Sequence, residues 1–272
     1  MRSLLKHQQT SWARSCGLAV DDAGYTYRPE ENLPWLTPRT RADFEAADGD
    51  EFGATRKRAK IAALHSSSAL AVNVFDYWTT RNAAPLAAAL NLPYPIEDIR
   101  FERKFPTGVG SRAPNLDVVV TGPDRQLLAV ESKFCEPFSF RPKPIQDKYF
   151  PPGEGRWHAA GLPGAQAAAD SLRHESPFKL LDAVQLLKHM LGLAQTRSEW
   201  KLLLLWFAPT SEALRAMDAE ASRFRQILGS DGARFTWQTY QELWSRLAPR
   251  LSPRDDEYAR YLEQRYFRPS VV

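Results

Sequence analysis

The alternation of hydrophobic and polar residues predicts a helix followed by three β-strands in the first half of the chain. Residues 66–80 carry apolar side chains on two sides, which is typical of a buried helix, and the serines at their start are suitable N-cap residues. Residues 99–105 alternate between apolar and polar positions, residues 116–121 are rich in β-branched side chains, and residues 126–134 form a third apolar segment. The turn residues at 122–124 predict that the last two strands form a hairpin.

The second half of the chain alternates between helical and strand patterns. Residues 200–207 are almost continuously apolar, as expected for a strand at the centre of a sheet. Helices are predicted at 84–90, 178–193 and 211–228, from about 240, and from 252 to about 266, and a short strand is predicted at 234–238. This order of elements predicts an α/β fold with a mixed β-sheet flanked by helices.

The first sixty residues lack a clear hydrophobic period. They are polar and are interrupted by three prolines, so we interpret them as an N-terminal extension with few regular elements. The extension ends in a basic run at 56–60, which is more typical of a solvated face than of a nucleic-acid contact. A core at 61–250 and a C-terminal helix at 251–272 are expected to follow.

The core is interrupted by an insertion at residues 136–178. This segment is rich in proline, with aromatic and basic residues interleaved, and a loop of this length is unusual inside a compact domain. The sequence leaves two interpretations open. In the first, aromatic residues such as Trp157, together with His158 and the nearby lysines and arginines, contact a nucleic acid. In the second, the aromatic side chains pack back onto the core.

Composition and charge are those of an ordinary globular protein. The chain has 272 residues, of which 43% are hydrophobic, and its 36 Lys and Arg against 32 Asp and Glu give a net charge of +4. This charge permits a polyanionic partner without demanding one. The two cysteines, Cys16 and Cys135, disfavour a disulfide framework and a cysteine-rich zinc site. We expect a soluble, cytoplasmic protein, because no apolar run approaches the roughly 18–20 residues of a membrane span and no signal peptide is apparent.

The candidate chemistry lies in the predicted hairpin, because the chain has no phosphate-binding loop, dinucleotide fingerprint, nucleophile elbow or HExxH motif. Asp117 lies in the first strand of the hairpin, and Glu131 and Lys133 share one face of the second. Two adjacent carboxylates repel each other unless a cation lies between them, and Mg²⁺ is such an oxygen-seeking cation. Lys133 would then hold or deprotonate a water molecule. On spacing alone, a solvent-facing strand end explains these residues equally well.

Together with their surroundings, these residues resemble the PD-(D/E)XK nuclease superfamily, and more narrowly a family of restriction endonucleases within it. The resemblance covers about residues 60–245 and rests on short motifs in a fixed order, at residues 66–73, 101–106, 114–117, 131–137 and 185–192. Two features depart from the usual pattern. Pro114 lies three residues before Asp117 instead of beside it, and Ser132 stands where an apolar residue is commoner.

The resemblance implies a restriction-endonuclease-like fold and Mg²⁺-dependent cleavage of DNA phosphodiester bonds, with Mn²⁺ as a substitute metal. By position in the motif, it implies that Asp117, Glu131 and the carbonyl oxygen of Ser132 are metal ligands. It implies that Lys133 is the catalytic lysine. The implied partner is DNA, expected to be double-stranded, and a homodimer is compatible with this function.

Three further polar residues each have a functional and a structural interpretation. The resemblance makes Glu102 an extra acid at the catalytic and metal site, whereas in a charged strand it would simply pair with a neighbouring arginine or lysine. Gln185 resembles the ancillary glutamine of such a site, or else is solvated on its helix. His189 shares the helical face of Gln185, but a lone histidine is usually structural.

Two other functions remain open at this stage. A protein with the same fold that has lost catalysis would be a nucleic-acid-binding module. Alternatively, the charged residues are a coincidence in an α/β protein that is no nuclease. The intact set of Asp117, Glu131 and Lys133 favours the endonuclease.

Overall fold

One mixed β-sheet organises the protein. The computed structural model describes residues 1–47, 50–53, 58–110 and 113–268. In these residues the sheet has five strands, β1 (Asp98–Lys104), β2 (Asn115–Thr121), β3 (Leu127–Lys133), β4 (Trp200–Trp206) and β5 (Phe235–Thr239). The strands lie in sequence order: β1, β2 and β3 are antiparallel neighbours, whereas β3, β4 and β5 are parallel. The five strands predicted from the sequence are confirmed.

Helices cover both faces of this sheet. They are α1 (Arg2–Ser15), α2 (Pro38–Glu45), α3 (Ser67–Phe75), α4 (Ala84–Ala89), α5 (Arg156–Ala159), α6 (Pro163–Ser171), α7 (Ala183–Ala194), α8 (Ser211–Ile227), α9 (Tyr240–Leu247) and α10 (Asp256–Leu262). Side chains of α3, α4, α9 and α10 join the hydrophobic core on one face, and those of α6, α7 and α8 join the core on the other. The expected restriction-endonuclease-like fold, a mixed sheet flanked by helices, is confirmed.

Strand β4, which has a neighbouring strand on each side, contributes side chains to both hydrophobic cores. Leu203 and Leu205 belong to the core under α3, whereas Leu202 and Leu204 belong to the core under α7. A strand that is buried on both faces has a continuous apolar sequence, which explains the pattern at 200–207. Glu131 of β3 pairs with Leu204, so this charged residue lies beside an apolar strand.

The β2–β3 hairpin closes through a tight turn. The N–H of Gly122 donates a hydrogen bond to the carbonyl oxygen of Gln126 at 2.9 Å, and Asp124 between them adopts a left-handed conformation with φ 55°. The ring of Tyr94 packs directly on Gly122, where a Cβ atom would lie 2.2 Å from the nearest ring carbon. The turn fixes which residues of β2 and β3 face each other.

The helix predicted at 178–193 begins later than expected, at Ala183. Asp182 caps it by accepting a hydrogen bond from the N–H of Gln185 at 3.0 Å. The backbone N–H groups just before the cap donate instead to the carboxylate of Glu220 on α8, each at 2.9 Å. A side chain 40 residues away in the sequence therefore holds these residues out of the helix.

The expectation of few regular elements in residues 1–60 was wrong, because both α1 and α2 fall within them. The packing partner of α1 lies at the other end of the chain, where Gln9 Nε2 donates a hydrogen bond to the carbonyl oxygen of Arg265 at 3.0 Å. Residues 56 and 57 of the predicted basic run lie outside the described residues. In the same run, Arg58 pairs with Asp21.

The insertion at 136–178 was predicted as a loop but contains α5 and α6. Its aromatic side chains pack largely onto the core. Trp157 is fully buried, its Nε1 donates to the carbonyl oxygen of Leu187 at 2.8 Å, and its ring stacks on Tyr149. His158 is exposed and contacts Glu154 at 2.6 Å. For Tyr149 and Trp157, the structure favours the second of the two interpretations, packing onto the core.

Cys16 and Cys135 are both free thiols, the first exposed and the second buried. In the part of the chain that the structure describes, every helix is too short or too polar to cross a membrane.

Candidate active site

The carboxyl end of β3 presents two charged side chains on one face and a hydroxyl on the other. Glu131 and Lys133 both face α7, as the alternation of a strand predicts. Ser132 points to the opposite face, where its Oγ lies 2.7 Å from the hydroxyl of Tyr240. Ser132, which stands where an apolar residue is commoner, thus has a buried hydrogen-bond partner. This hydrogen bond connects β3 to the start of α9.

The hairpin brings Asp117 to the same end of the sheet. Val118 pairs with Val130, so the register continues with Asp117 opposite Glu131. The Oδ2 atom of Asp117 accepts a hydrogen bond from the backbone N–H of Ser132 at 2.6 Å. The structure therefore places Asp117 beside the charged end of β3, as the sequence predicted.

Lys133 is held by two oxygen atoms. Its Nζ donates to Glu131 Oε1 at 2.5 Å and to Gln185 Oε1 at 3.1 Å. Gln185 reaches it from the first turn of α7, directly after the Asp182 cap. Gln185 is therefore part of the cluster and is not simply solvated on its helix.

Glu102 approaches the cluster from β1. The pairs Phe101 with Val118 and Arg103 with Leu116 place Glu102 opposite Asp117. Its Oε2 accepts a hydrogen bond from Asn115 Nδ2 at 2.9 Å, and its backbone is left-handed with φ 48°. Such a conformation costs about 1–2 kcal/mol for a residue other than glycine, and strain of this kind is enriched at functional sites.

The carboxyl groups of the cluster differ in the direction of their pKa shifts. Burial raises the pKa of Asp117 well above its usual value, and the charges of Glu131 and Glu102 add to the effect. Burial likewise raises the pKa of Glu102 to about 7. Burial would also raise the pKa of Glu131, but attraction to Lys133 and His189 outweighs it and lowers that pKa to about 2. Burial opposes the charge of Lys133, yet Glu131 and Asp117 hold its pKa above the usual value.

The directions of these pKa shifts distinguish two kinds of acidic residue at the site. Glu131 and Lys133 form a buried ion pair, in which the glutamate side chain is 2% exposed and the lysine side chain 17% exposed. Among the described residues, Asp117 and Glu102 form no direct ion pair, and the charges of Lys133 and Lys60 only partly offset their burial. These two carboxyl groups therefore have more to gain from an additional cation than Glu131 has.

His189 also belongs to the cluster, although the sequence favoured a structural role for it. It is fully buried on α7, one turn after Gln185, and its Nε2 lies 2.9 Å from Glu131 Oε2. Neither of these two atoms forms a well-aligned hydrogen bond. The sequence contained one indication that His189 lies in the cluster: it follows Gln185 by four positions, and residues four apart share a helical face.

A small cleft of about 60 Å³ opens beside part of this cluster. Glu131, Lys133 and Gln185 line it together with apolar side chains that include Pro137 and Phe140. The charged atoms at the end of β3 thus lie beside a small space that is open to solvent. Trp157 and His158, which the sequence offered as substrate contacts, do not line this cleft.

Comparison with known protein families identifies the chain. The model of a family described as "Restriction Endonuclease associating with ARP" matches residues 13–267. The chain belongs to this family. Comparisons with curated proteins and with solved structures gave no match.

For a member of this restriction endonuclease family, the question is whether the cluster fits a metal ion. Among the described residues, no group of three or more His, Cys, Asp or Glu side chains is arranged to hold one. Mg²⁺, however, is usually bound through only one or two carboxylates and keeps several water molecules. Asp117 and Glu131 supply two such carboxylates, and the buried Glu131 Oε2 has only the poorly aligned contact with His189 at 2.9 Å. The residues present therefore fit Mg²⁺.

Proposed function

We propose that the chain is a Mg²⁺-dependent endonuclease that hydrolyses phosphodiester bonds in double-stranded DNA. Membership of a restriction endonuclease family supports a nuclease. The observation that carries the proposal is the meeting of two carboxylates and a lysine at the end of the β2–β3 hairpin. Gln185 contacts the lysine, and Glu131, Lys133 and Gln185 line one small cleft.

We assign Asp117, Glu131 and the carbonyl oxygen of Ser132 as metal ligands, with Glu102 as an additional acid. The raised pKa of Asp117 supports this, because a cation would offset the burial and the neighbouring negative charges. The Oε2 atom of Glu131, which has no well-aligned hydrogen bond, supports it as well. When bound, Mg²⁺ or Mn²⁺ would lower the pKa of a water molecule and stabilise negative charge on the phosphoryl group.

Lys133 and the residues that orient it have the remaining roles in the proposed reaction. Its ammonium group is held by Glu131 and Gln185, so a positive charge is already in place where negative charge develops on the phosphoryl oxygens. In hydrolysis, the attacking water releases a proton to the solvent as its oxygen bonds to phosphorus, the bond to the leaving sugar oxygen breaks, and that oxygen takes up a proton. Gln185 fixes the direction of the ammonium group, which is a positioning role.

Cleavage of supercoiled plasmid is expected to require Mg²⁺ or Mn²⁺ and to stop in excess EDTA. Ca²⁺ is expected to support it poorly, because this larger ion accepts more flexible coordination and positions water less well. The measurement is a nicking assay on the purified protein with each metal. The Asp117→Asn variant, purified in the same way, controls for contaminating nucleases.

Three outcomes of this assay would contradict the proposal in different ways. Strong cleavage by the wild-type protein in EDTA, absent from Asp117→Asn, would exclude the metal requirement. Equal cleavage by both proteins would remove Asp117 from the site. DNA binding without cleavage under any metal would favour the catalytically inactive binding module.

Replacing His189 by leucine is expected to raise the Mg²⁺ concentration for half-maximal cleavage about 10–100-fold, the usual effect of losing a partner of a ligating carboxylate. The reason is its 2.9 Å contact with Glu131 Oε2, which holds a proposed ligand in place. His189→Gln keeps a polar group there and is expected to lose less. Met190→Leu, at the next buried position of α7, is the matched control. An unchanged Mg²⁺ requirement in His189→Leu, with only a lower melting temperature, would leave His189 a structural residue.

A further inference from the structure

Two lysine side chains lie near the buried ring of Tyr149, and the charge of an arginine acts on its hydroxyl group. The Nζ atoms of Lys148 and Lys188 lie 5.8 and 5.4 Å from the centre of this ring. The charge of Arg156 acts on the hydroxyl group of the same tyrosine. We call Lys148, Arg156 and Lys188 the cation cluster.

Among the described residues, no acidic side chain forms a direct ion pair with the cation cluster. Within the described residues, none of its three side chains forms a hydrogen bond or an ion pair, and Arg156 Nε is buried without a partner. The acids nearest in sequence are engaged elsewhere, since Asp147 pairs with Arg173 at 3.4 Å and Glu154 contacts His158 at 2.6 Å. Like charges that lack counter-charges attract an anion.

Lys188 is partly buried, and burial lowers its pKa. The charge of Asp182 opposes this effect, and the smaller effect of Lys148 adds to that of burial. The carboxylate of Asp182 is itself engaged in capping α7. An anion bound beside Lys188 would offset both unfavourable effects.

The cation cluster adjoins the candidate active site. Lys188 follows Gln185 by three positions on α7, so their Cβ atoms are about 5–6 Å apart on one helical face. Gln185 in turn contacts Lys133 at 3.1 Å. Lys188 therefore lies within one helical turn of the residue that contacts Lys133.

We propose that the cation cluster binds a backbone phosphate of the DNA close to the bond that is cleaved. This inference rests on the proposed function. It gives the insertion at 136–178 a phosphate-binding role and not a base-stacking one, because Tyr149 and Trp157 are buried. Such a contact positions the duplex and contributes affinity without reading its sequence.

The test is the salt dependence of binding to a 20-base-pair DNA duplex in EDTA, measured by fluorescence anisotropy. The main variant is Lys148→Gln with Lys188→Gln, because neither side chain is fully buried and the protein is expected to fold. Losing one phosphate contact lowers the slope of log K against log salt by about 0.9, which corresponds to about tenfold in affinity at 0.1 M salt. Lys201→Gln is the matched control, an exposed lysine near the opposite end of the sheet.

The inference is overturned if the double variant keeps the wild-type slope and affinity, or if Lys201→Gln changes them equally. Arg156→Gln serves as an independent third variant and should lower the slope by a similar amount. A nicking assay in Mg²⁺ separates this inference from the proposed function. If the wild-type protein cleaves but the slopes do not change, the function stands without the phosphate site. If the wild-type protein neither binds nor cleaves DNA, both are wrong.

Discussion

Replacing Lys133 by alanine is expected to lower the rate of DNA cleavage about 10²–10³-fold, as for other preorganised groups that stabilise transition-state charge. DNA affinity is expected to stay nearly unchanged, because Lys133 is one cation among many and its loss removes at most about one unit of salt slope. No other described cation donates to both Glu131 and Gln185, so its place cannot be filled. The measurements are a nicking rate and a gel shift on the same purified variant.

Loss of Lys133 also removes the counter-charge of a buried carboxylate, so folding must be controlled. Removing one partner of a buried ion pair commonly destabilises a protein by about 3–5 kcal/mol. A double variant, Glu131→Gln with Lys133→Met, avoids the unpaired charge and is expected to be folded and equally inactive. Lys201→Ala is the control for a lysine outside the site. If Lys133→Ala cleaves at the wild-type rate, the ion pair is only a strand end and the non-catalytic module becomes the better explanation.

Asp117→Ala is expected to be at least as damaging to cleavage, because it removes a proposed metal ligand and the acceptor of the Ser132 N–H. Loss of both cleavage and metal dependence, with intact folding, is the expected pattern.

The parts of the site that the sequence predicted are those governed by local rules. The period of two placed Glu131 and Lys133 on one face, and the turn at 122–124 brought Asp117 opposite them. These rules need only the strand itself and its nearest neighbour in sequence. The alternation of the β3 strand and the hairpin therefore appear in the structure as predicted.

The parts that the sequence left open depend on contacts between distant elements. Gln185 and His189 reach β3 from α7, more than 50 residues later, and only the packing of helix on sheet brings them there. The left-handed backbone of Glu102 is also set by the fold, because no glycine marks the position. For the same reason Trp157 could not be assigned to the core until its partner Leu187 was known.

Residues 1–60 illustrate the same limit on a larger scale. The helix α1 carries few apolar residues, and its stability comes from packing against the end of the chain. Composition alone therefore favoured an irregular extension. The residue that holds the two ends together, Arg265, has no recognisable motif.

Replacing Arg265 by methionine is expected to lower the free energy of unfolding by about 3–5 kcal/mol, because it leaves several buried oxygen atoms without donors. Arg265 is 4% exposed, and its guanidinium group donates to Gln9 Oε1 at 3.0 Å, to Asn32 Oδ1 at 2.6 Å and to the carbonyl oxygens of Asn32 and Leu64 at 3.1 and 3.2 Å. It also donates to the hydroxyl of Tyr261. All five N–H groups of the guanidinium are thus used. The measurement is urea unfolding followed by tryptophan fluorescence.

The geometry of this network also predicts the order of the variants. Arg265→Lys keeps the charge but loses the planar fork, so it can satisfy at most three of the five acceptors and is expected to fall between wild type and Arg265→Met. Arg260→Met, an exposed arginine of α10, is the matched control and is expected to change stability by less than about 0.5 kcal/mol. Because α1 is held through Gln9, hydrogen exchange in α1 should rise more than in β4 when Arg265 is replaced. Equal stability of Arg265→Met and Arg260→Met, or exchange that rises uniformly across both elements, would contradict a role for Arg265 in holding α1 to the end of the chain.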